Sequence, residues 1–217
     1  KYFERKEISD VLSLLSVIDN SKQDIPLAAS LKLPYYGVTD DELLKIRMEG
    51  QSLDFYDAVK EYASNGSDEG LKEKIQKFFS DIDKWKKEAP FESVGDIIWD
   101  IYNVTGHYDY VGALKGGALK QANLIMLIEK AHELEKNNFK GLFNFIRYVQ
   151  RLQSTGSDFG GAKITGDKAE VVRIMTVHKS KGLEFPVVFL CGTGGSFNKN
   201  DLTSKVLLHT KAGIVCD

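Results

Sequence analysis

Apolar residues return at helical intervals through most of this chain. Ile8, Val11, Leu12, Leu15 and Ile18 fall on one face of a helix, and Leu71, Ile75, Phe78, Phe79, Ile82 and Trp85 make a second stripe. Val94, Ile97, Ile98, Ile101 and Tyr102 repeat the spacing, followed by Leu124, Leu127, Ile128, Ala131 and Leu134, and by Phe139, Leu142, Phe143, Ile146 and Val149. Such stripes are the buried sides of packed helices, so these residues are the predicted core. Start and stop signals agree with this segmentation. Thr39 and Glu42 have capping-box spacing at the head of DELLKIRME, with Gly50 at its expected end. The NGSDEG run from Asn65 to Gly70 reads as a loop, and Gly116-Gly117 breaks the chain before the helix carrying Asn123 and Leu124.

The period changes toward the end. Val171 to Val177 and Val187 to Leu190 are β-branched and large apolar runs, the pattern of strands buried on both faces of a parallel sheet. Between helices and strands lies Ser154 to Asp167, STGSDFGGAKITGD, a polar glycine-rich passage that marks a domain boundary. The predicted fold class is mainly α with a small α/β part.

Composition narrows the function classes. The chain has 217 residues, 42% apolar, enough to bury one large core or two small ones. Its net charge of -2 excludes a global basic field, so any nucleic-acid contact has to be local. Cys191 and Cys216 fit neither a metal-ligand spacing nor a disulfide framework; they read as inert core thiols of a protein in a reducing cytoplasm. No signal peptide and no bilayer-length apolar run is present in the sequence. The chain opens on Lys1 and reads as a segment of a longer protein.

Candidate chemistry sits between the two strand-type runs. HKSKGLEFP supplies a histidine, two lysines, a serine, a glycine and a glutamate. Alone, such a turn reads as a solvated loop. Strand-end loops of open α/β sheets are also where ligands bind. The full string TVHKSKGLEFP, Thr176 to Pro186, resembles motif V of the UvrD/Rep-like superfamily 1 DNA helicases. YFERKEISDVLSLLSVIDNSKQDIPLA at Tyr2 to Ala28, YDYVGALKGGALKQANL at Tyr108 to Leu124 and VLLHTKAGI at Val206 to Ile214 resemble the AddA-type subunits of AddAB helicase-nucleases, in the same order.

The resemblance implies an arrangement. Residues 1–34 would be a first segment of a RecA-like 2A domain, 35–165 an inserted helical 2B-type domain, and 166–217 the return to the 2A domain with motif V. Carried over by position, Glu184 accepts hydrogen bonds from a nucleotide sugar and Gly182 allows close backbone approach, for which a residue without Cβ is suited. Thr176, His178 and Lys179 face single-stranded DNA, and Lys181 serves either the nucleotide phosphates or the DNA. The expected partners of the helical domain are duplex DNA and an AddB-like partner subunit. Arg147 and Arg151, placed by spacing on a polar face opposite Phe143 and Ile146, are one candidate contact and otherwise a solvated face. ATP and Mg2+ are the expected cofactors of the longer protein, an ATP-dependent helicase and exonuclease of double-strand break repair.

Departures and missing motifs limit what these residues do alone. There is no G-x-x-x-x-G-K-[ST] phosphate loop, and Asp41-Glu42 and Asp68-Glu69 lie at a helix start and in a loop rather than after an apolar strand. No catalytic residue is therefore assigned, no metal ligand, and no bound cofactor is expected. Gly192 to Ser196 does not complete a dinucleotide-binding loop, because Phe197 stands where the third glycine belongs; Gly195 occupies a position where the family carries lysine. Leu31-Lys32-Leu33-Pro34 replaces a Leu-Arg-Ser-Pro, so no arginine role transfers. Two other readings stay open: a module for docking the partner subunit, and a segment of a UvrD-like helicase without nuclease.

Overall fold

The computed structural model describes residues 2–136, 140–155, 172, 174–191, 193–194, 206–209 and 213–216. The chain forms two compact units, 1–169 and 170–217.

The first unit is helical and is built around α1 (Lys6–Asp19). Glu7, Ile8, Val11, Leu14, Leu15, Val17 and Ile18 are all buried, more than one face of the helix, as expected for an element with neighbours on several sides. Those neighbours are α2 (Asp24–Leu31), α5 (Glu69–Glu88), α8 (Gly117–Lys136) and α9 (Leu142–Thr155). Leu31, Leu33, Tyr36 and Val38 join the same core, so the chain passes residues 34 and 35 inside one packed unit. At the Leu31-to-Pro34 site, Lys32 instead pairs with Asp40 at 2.6 Å.

The capping box predicted for α3 (Asp40–Glu49) is present. The Thr39 hydroxyl accepts from the Glu42 amide at 3.2 Å, and the Glu42 carboxylate accepts from the Thr39 amide at 2.8 Å. Lys74 of α5 donates to the same carboxylate at 2.7 Å. Burial disfavours this carboxylate's charge, but the Lys74 and Thr39 hydrogen bonds and the Lys74 charge outweigh it, and its pKa lies below the ordinary value. Gly50 ends α3 with φ -106°, so its role is packing rather than a left-handed cap: a Cβ there would lie 2.5 Å from that of Ala58 on α4 (Phe55–Asn65). The expected loop from Asn65 to Gly70 is shorter than predicted. Asn65 closes α4, Asp68 caps α5 by accepting from the Leu71 amide at 3.2 Å, and Gly70 already lies in the first turn.

The α5 stripe is buried at Leu71, Ile75, Phe78, Ile82 and Trp85, with Phe79 half-buried against Tyr56. Asp100 on α6 (Val94–Thr105) accepts from both Trp85 Nε1, at 2.7 Å, and Lys84 Nζ, at 2.6 Å, fixing α6 across α5. Val94, Ile97, Ile98, Ile101 and Tyr102 are buried as predicted. A left-handed Gly106 turns the chain into α7 (His107–Ala113). Gly117 opens α8 so close to α7 that a Cβ would sit 1.9 Å from the Gly112 carbonyl oxygen. Leu124, Leu127 and Ala131 of the α8 stripe are buried, and Ile128 and Leu134 pack against the core from its edge.

In α9 the predicted stripe needs correction. Leu142, Phe145, Ile146 and Val149 are the buried positions, whereas Phe143 is exposed; Phe139 lies outside the described residues. At 3.6 residues per turn, 142, 145, 146 and 149 make a tighter stripe than one including 143. Phe143 therefore lies on the arginine side of α9, not opposite it.

The second unit corrects the strand prediction. The expected adjacent parallel strands at Val171 to Val177 and Val187 to Leu190 are not formed among the described residues. Val177–Ser180 is instead a short helix, α10, and 187–190 runs without a ladder. Val172, Ile174, Val187, Val188, Phe189 and Leu190 are all exposed, which is what two-sided strands look like with no neighbouring strand to satisfy their backbone. Cys191, expected as a core thiol, is likewise exposed. The described sheet is a hairpin of β1 (Val206–His209) and β2 (Gly213–Cys216), antiparallel with Val206 opposite Cys216 and His209 opposite Gly213.

Candidate functional site

The residues singled out by sequence occupy one turn. The Thr176 carbonyl accepts from the Ser180 amide at 3.1 Å and closes α10, and the Ser180 hydroxyl donates to the Val177 carbonyl at 2.8 Å. The Leu183 amide then donates to the Ser180 carbonyl at 3.0 Å, and Gly182 reverses the chain with φ +83°. A Cβ on Gly182 would meet nothing within 4 Å, so the backbone angle, not crowding, makes glycine the fitting residue. A side chain there costs about 1–2 kcal/mol of left-handed strain.

Thr176, His178, Lys181, Gly182 and Glu184 are all exposed, and Lys179 lies within α10. Glu184 and Lys181 make no ion pair with another described residue. The turn thus presents an uncommitted carboxylate, an ammonium, an imidazole and a hydroxyl residue within nine positions. Chemically it can accept from hydroxyls and donate to phosphate oxygens. Among the described residues no group of three His, Cys, Asp or Glu side chains is arranged to hold a metal ion. No helix among them is long and apolar enough to cross a membrane.

Two features escaped the sequence. The first is a buried polar cluster joining α1 to α7 and α8. Asn123 Nδ2 donates to the Glu7 carboxylate at 2.9 Å, Tyr2 donates to the Asn123 carbonyl at 2.7 Å, and His107 Nε2 lies 3.4 Å from the Glu7 carbonyl oxygen. Burial lowers the His107 pKa, partly offset by the hydrogen bond to Glu7, and raises that of Tyr2. The signal was positional: Glu7 shares a heptad-like row with Val11, Leu14 and Ile18, and Asn123 with Leu127 and Ala131. The second is the place of Phe143 beside the arginine face already singled out on α9: the Arg147 guanidinium lies over the Phe143 ring, 5.5 Å from its centroid. The four-residue spacing from Phe143 to Arg147 to Arg151 was its signal.

Comparison with known proteins adds identity. A family model described as the UvrD-like helicase C-terminal domain matches residues 1–199. Over 213 residues the chain is 46% identical to the A-subunit of the ATP-dependent helicase/nuclease of Thermoanaerobacter sp. (strain X514), and 46% to that of Bacillus licheniformis. It is 44% identical to the same-named protein of Alkaliphilus oremlandii. Each match covers 98% of this chain but only 17–18% of the relative, so the chain spans about a sixth of the proteins it resembles. With the family model covering nearly all of the chain, and the turn of Thr176 to Glu184 inside the matched region, the chain belongs to the UvrD-like helicase C-terminal domain family.

Proposed function

We propose that this chain is part of the AddA-type subunit of an ATP-dependent DNA helicase-nuclease acting in double-strand break repair and recombination. The carrying observation is the pairing of its 46% identity to a helicase/nuclease A-subunit with a solvent-facing motif V turn built on a left-handed Gly182. In this reading residues 1–34 and 166–217 belong to a RecA-like 2A domain and 35–165 to an inserted 2B-type helical domain. The exposed apolar run from Val187 to Leu190 is then covered by strands of the same sheet contributed elsewhere in the longer protein.

Within the turn, Glu184 accepts from the hydroxyls of a nucleotide sugar, Gly182 lets the backbone approach, and Lys181 donates to phosphate. Thr176, His178 and Lys179 face single-stranded DNA. ATP with Mg2+ supplies the free energy of translocation in the longer protein. These residues fit a nucleotide's sugar edge; the phosphate loop and magnesium carboxylates are not among the 217 residues, so no hydrolytic step is assigned to them.

The test uses the full-length protein. A charge-assisted hydrogen bond contributes about 1.5–3 kcal/mol, so Glu184→Gln is expected to weaken ATP KM or DNA-stimulated kcat roughly ten- to hundredfold at an unchanged melting temperature. Unchanged kinetics would remove Glu184 from the site and the reading with it. A second role, docking an AddB-like partner, is favoured by Leu44 and Met48, which stand 59% and 62% exposed one turn apart on α3. Salt-insensitive binding to that partner, lost in Leu44→Ser, would support it.

A further inference from the structure

The outer edge of α9 carries an exposed aromatic ring and two arginines. Phe143, Arg147 and Arg151 follow each other at four-residue intervals and so line one edge of the helix, about 6 Å apart along its axis. Phe143 is 55% exposed, both arginines are exposed, and neither arginine is held in an ion pair with a described residue. No acidic residue occurs in LFNFIRYVQRLQST, although Asp and Glu outnumber Lys and Arg by 31 to 29 in the chain.

Beside this edge runs a groove of about 170 Å³ between α9 and the α1–α2 pair. Its polar lining is uncharged: Ser9, Ser13, Ser16, Gln150 and Gln153. The Ser13 and Ser16 hydroxyls donate to the carbonyls of Ser9 and Leu12 at 2.9 and 2.8 Å, which leaves their oxygens as acceptors. Helical geometry places Gln150 between the groove and the Phe143–Arg147 edge, so the two surfaces are continuous.

An exposed phenyl ring with a guanidinium over it, followed one turn later by a second guanidinium, fits a polyanion that also offers flat apolar faces. A single-stranded nucleic acid is such a ligand, with bases to stack on an aromatic ring and phosphates to meet arginines. A duplex keeps its base faces inside the stack, and an acidic protein surface supplies carboxylates without those faces. We propose that the outer edge of α9 binds single-stranded nucleic acid, with Phe143 stacking on a base and Arg147 and Arg151 on successive phosphates. This rests on the reading of the chain as part of a DNA-translocating protein, but gives the helical unit a strand contact of its own, separate from Thr176 to Glu184.

The test is fluorescence anisotropy with labelled oligo-dT and a blunt duplex, using the full-length protein without nucleotide. Phe143→Ala is expected to weaken oligo-dT binding about fivefold or more while leaving the duplex little changed. Arg147→Gln with Arg151→Gln is expected to lower the salt slope of oligo-dT binding by about 1.4, two phosphate contacts on a single strand. All three side chains are exposed, and an unchanged helical melting curve certifies folding. Native affinity and slope in these variants, absence of oligo-dT binding, or a larger loss on duplex than on oligo-dT would each overturn the inference. If His178→Ala and Lys181→Gln abolish strand binding while the α9 variants do not, the inference fails and the motif V reading stands. The reverse pattern leaves the α9 surface standing and removes the strand role of the motif V turn.

Discussion

The hydrogen bond between Asn123 and Glu7 is the most exacting test of how the helical unit is held together. Asn123 is fully buried and Glu7 only 7% exposed, so the carboxylate depends on the 2.9 Å bond from the Asn123 amide for much of its compensation. Asn123→Leu keeps the branched heavy-atom skeleton and removes the donor. Losing a hydrogen bond to a charged group, and leaving that group buried, costs about 2–4 kcal/mol. Glu7→Met removes the acceptor of that bond instead and costs about 1–3 kcal/mol. The double variant replaces both partners with apolar groups, so its cost falls short of the sum by about 1.5 kcal/mol or more. Urea unfolding followed by tryptophan fluorescence measures this in one unit only, because both tryptophans, Trp85 and Trp99, lie in the helical part. Additivity within about 0.5 kcal/mol would refute the reasoning. The result bears on function as well. In the proposed arrangement α1 belongs to the 2A domain and α8 to the 2B domain, and a strong coupling means that these two helices move together, so that any rotation of the inserted domain must turn about another point.

Other perturbations separate packing, capping and protonation. Gly117→Ala forces a Cβ to within 1.9 Å of a backbone oxygen on α7 and is expected to destabilise by about 3 kcal/mol or more, whereas Gly70→Ala, whose Cβ meets its nearest atom at 3.6 Å, should be neutral or stabilising by up to about 1 kcal/mol; equal melting temperatures would contradict this. Thr39→Ala removes one half of the α3 capping box and should cost about 1 kcal/mol by chemical denaturation, an unchanged midpoint counting against the cap. For His107 the folded pKa lies below the ordinary 6.5 because burial favours the neutral ring. The unfolded chain therefore takes up the proton first as pH falls, so this residue's contribution is complete above about 6.5 and is lost on acidification toward the folded pKa, at no more than about 1.4 kcal/mol per pH unit. His107→Gln should flatten that part of the stability profile, and an identical slope in the variant would exclude His107 as its source.

How far the sequence led depended on the range of the interactions involved. Helices satisfy their backbones locally, and a stripe such as Leu71, Ile75, Phe78, Ile82 and Trp85 needs only its own spacing to declare which side is buried. The Thr39–Glu42 box was legible for the same reason, since both of its hydrogen bonds span three residues. Gly50 and the Gly116-Gly117 pair were correctly read as helix boundaries, but the need for glycine at 50 and 117 comes from Ala58 and Gly112 on neighbouring helices, which no local pattern contains. Phe143 went the wrong way because an apolar residue adjacent to a stripe looks like part of it, until the rows 142–146–149 and 143–147–151 are separated by angle.

The segment from Thr176 to Leu190 marks the other limit. Val187 to Leu190 carries the composition of a two-sided strand, yet a strand's amides and carbonyls are satisfied by another strand, and no described strand pairs with it. Its side chains are exposed, and the predicted strand is not formed there. The turn from Thr176 to Glu184 is different, because its hydrogen bonds, Ser180 to Thr176 and Leu183 to Ser180, close within the segment, and its reversal depends on a single left-handed glycine. Gly182→Ala in the full-length protein therefore isolates the turn from the sheet. It adds about 1–2 kcal/mol of local strain without touching any packed neighbour. If Glu184 reads a nucleotide sugar, its placement depends on that reversal, and nucleotide affinity should fall by roughly five- to thirtyfold while the melting temperature of the helical unit stays constant. Native nucleotide affinity in Gly182→Ala would mean that the reversal does not position Glu184, and that the sugar contact belongs to a different part of the protein.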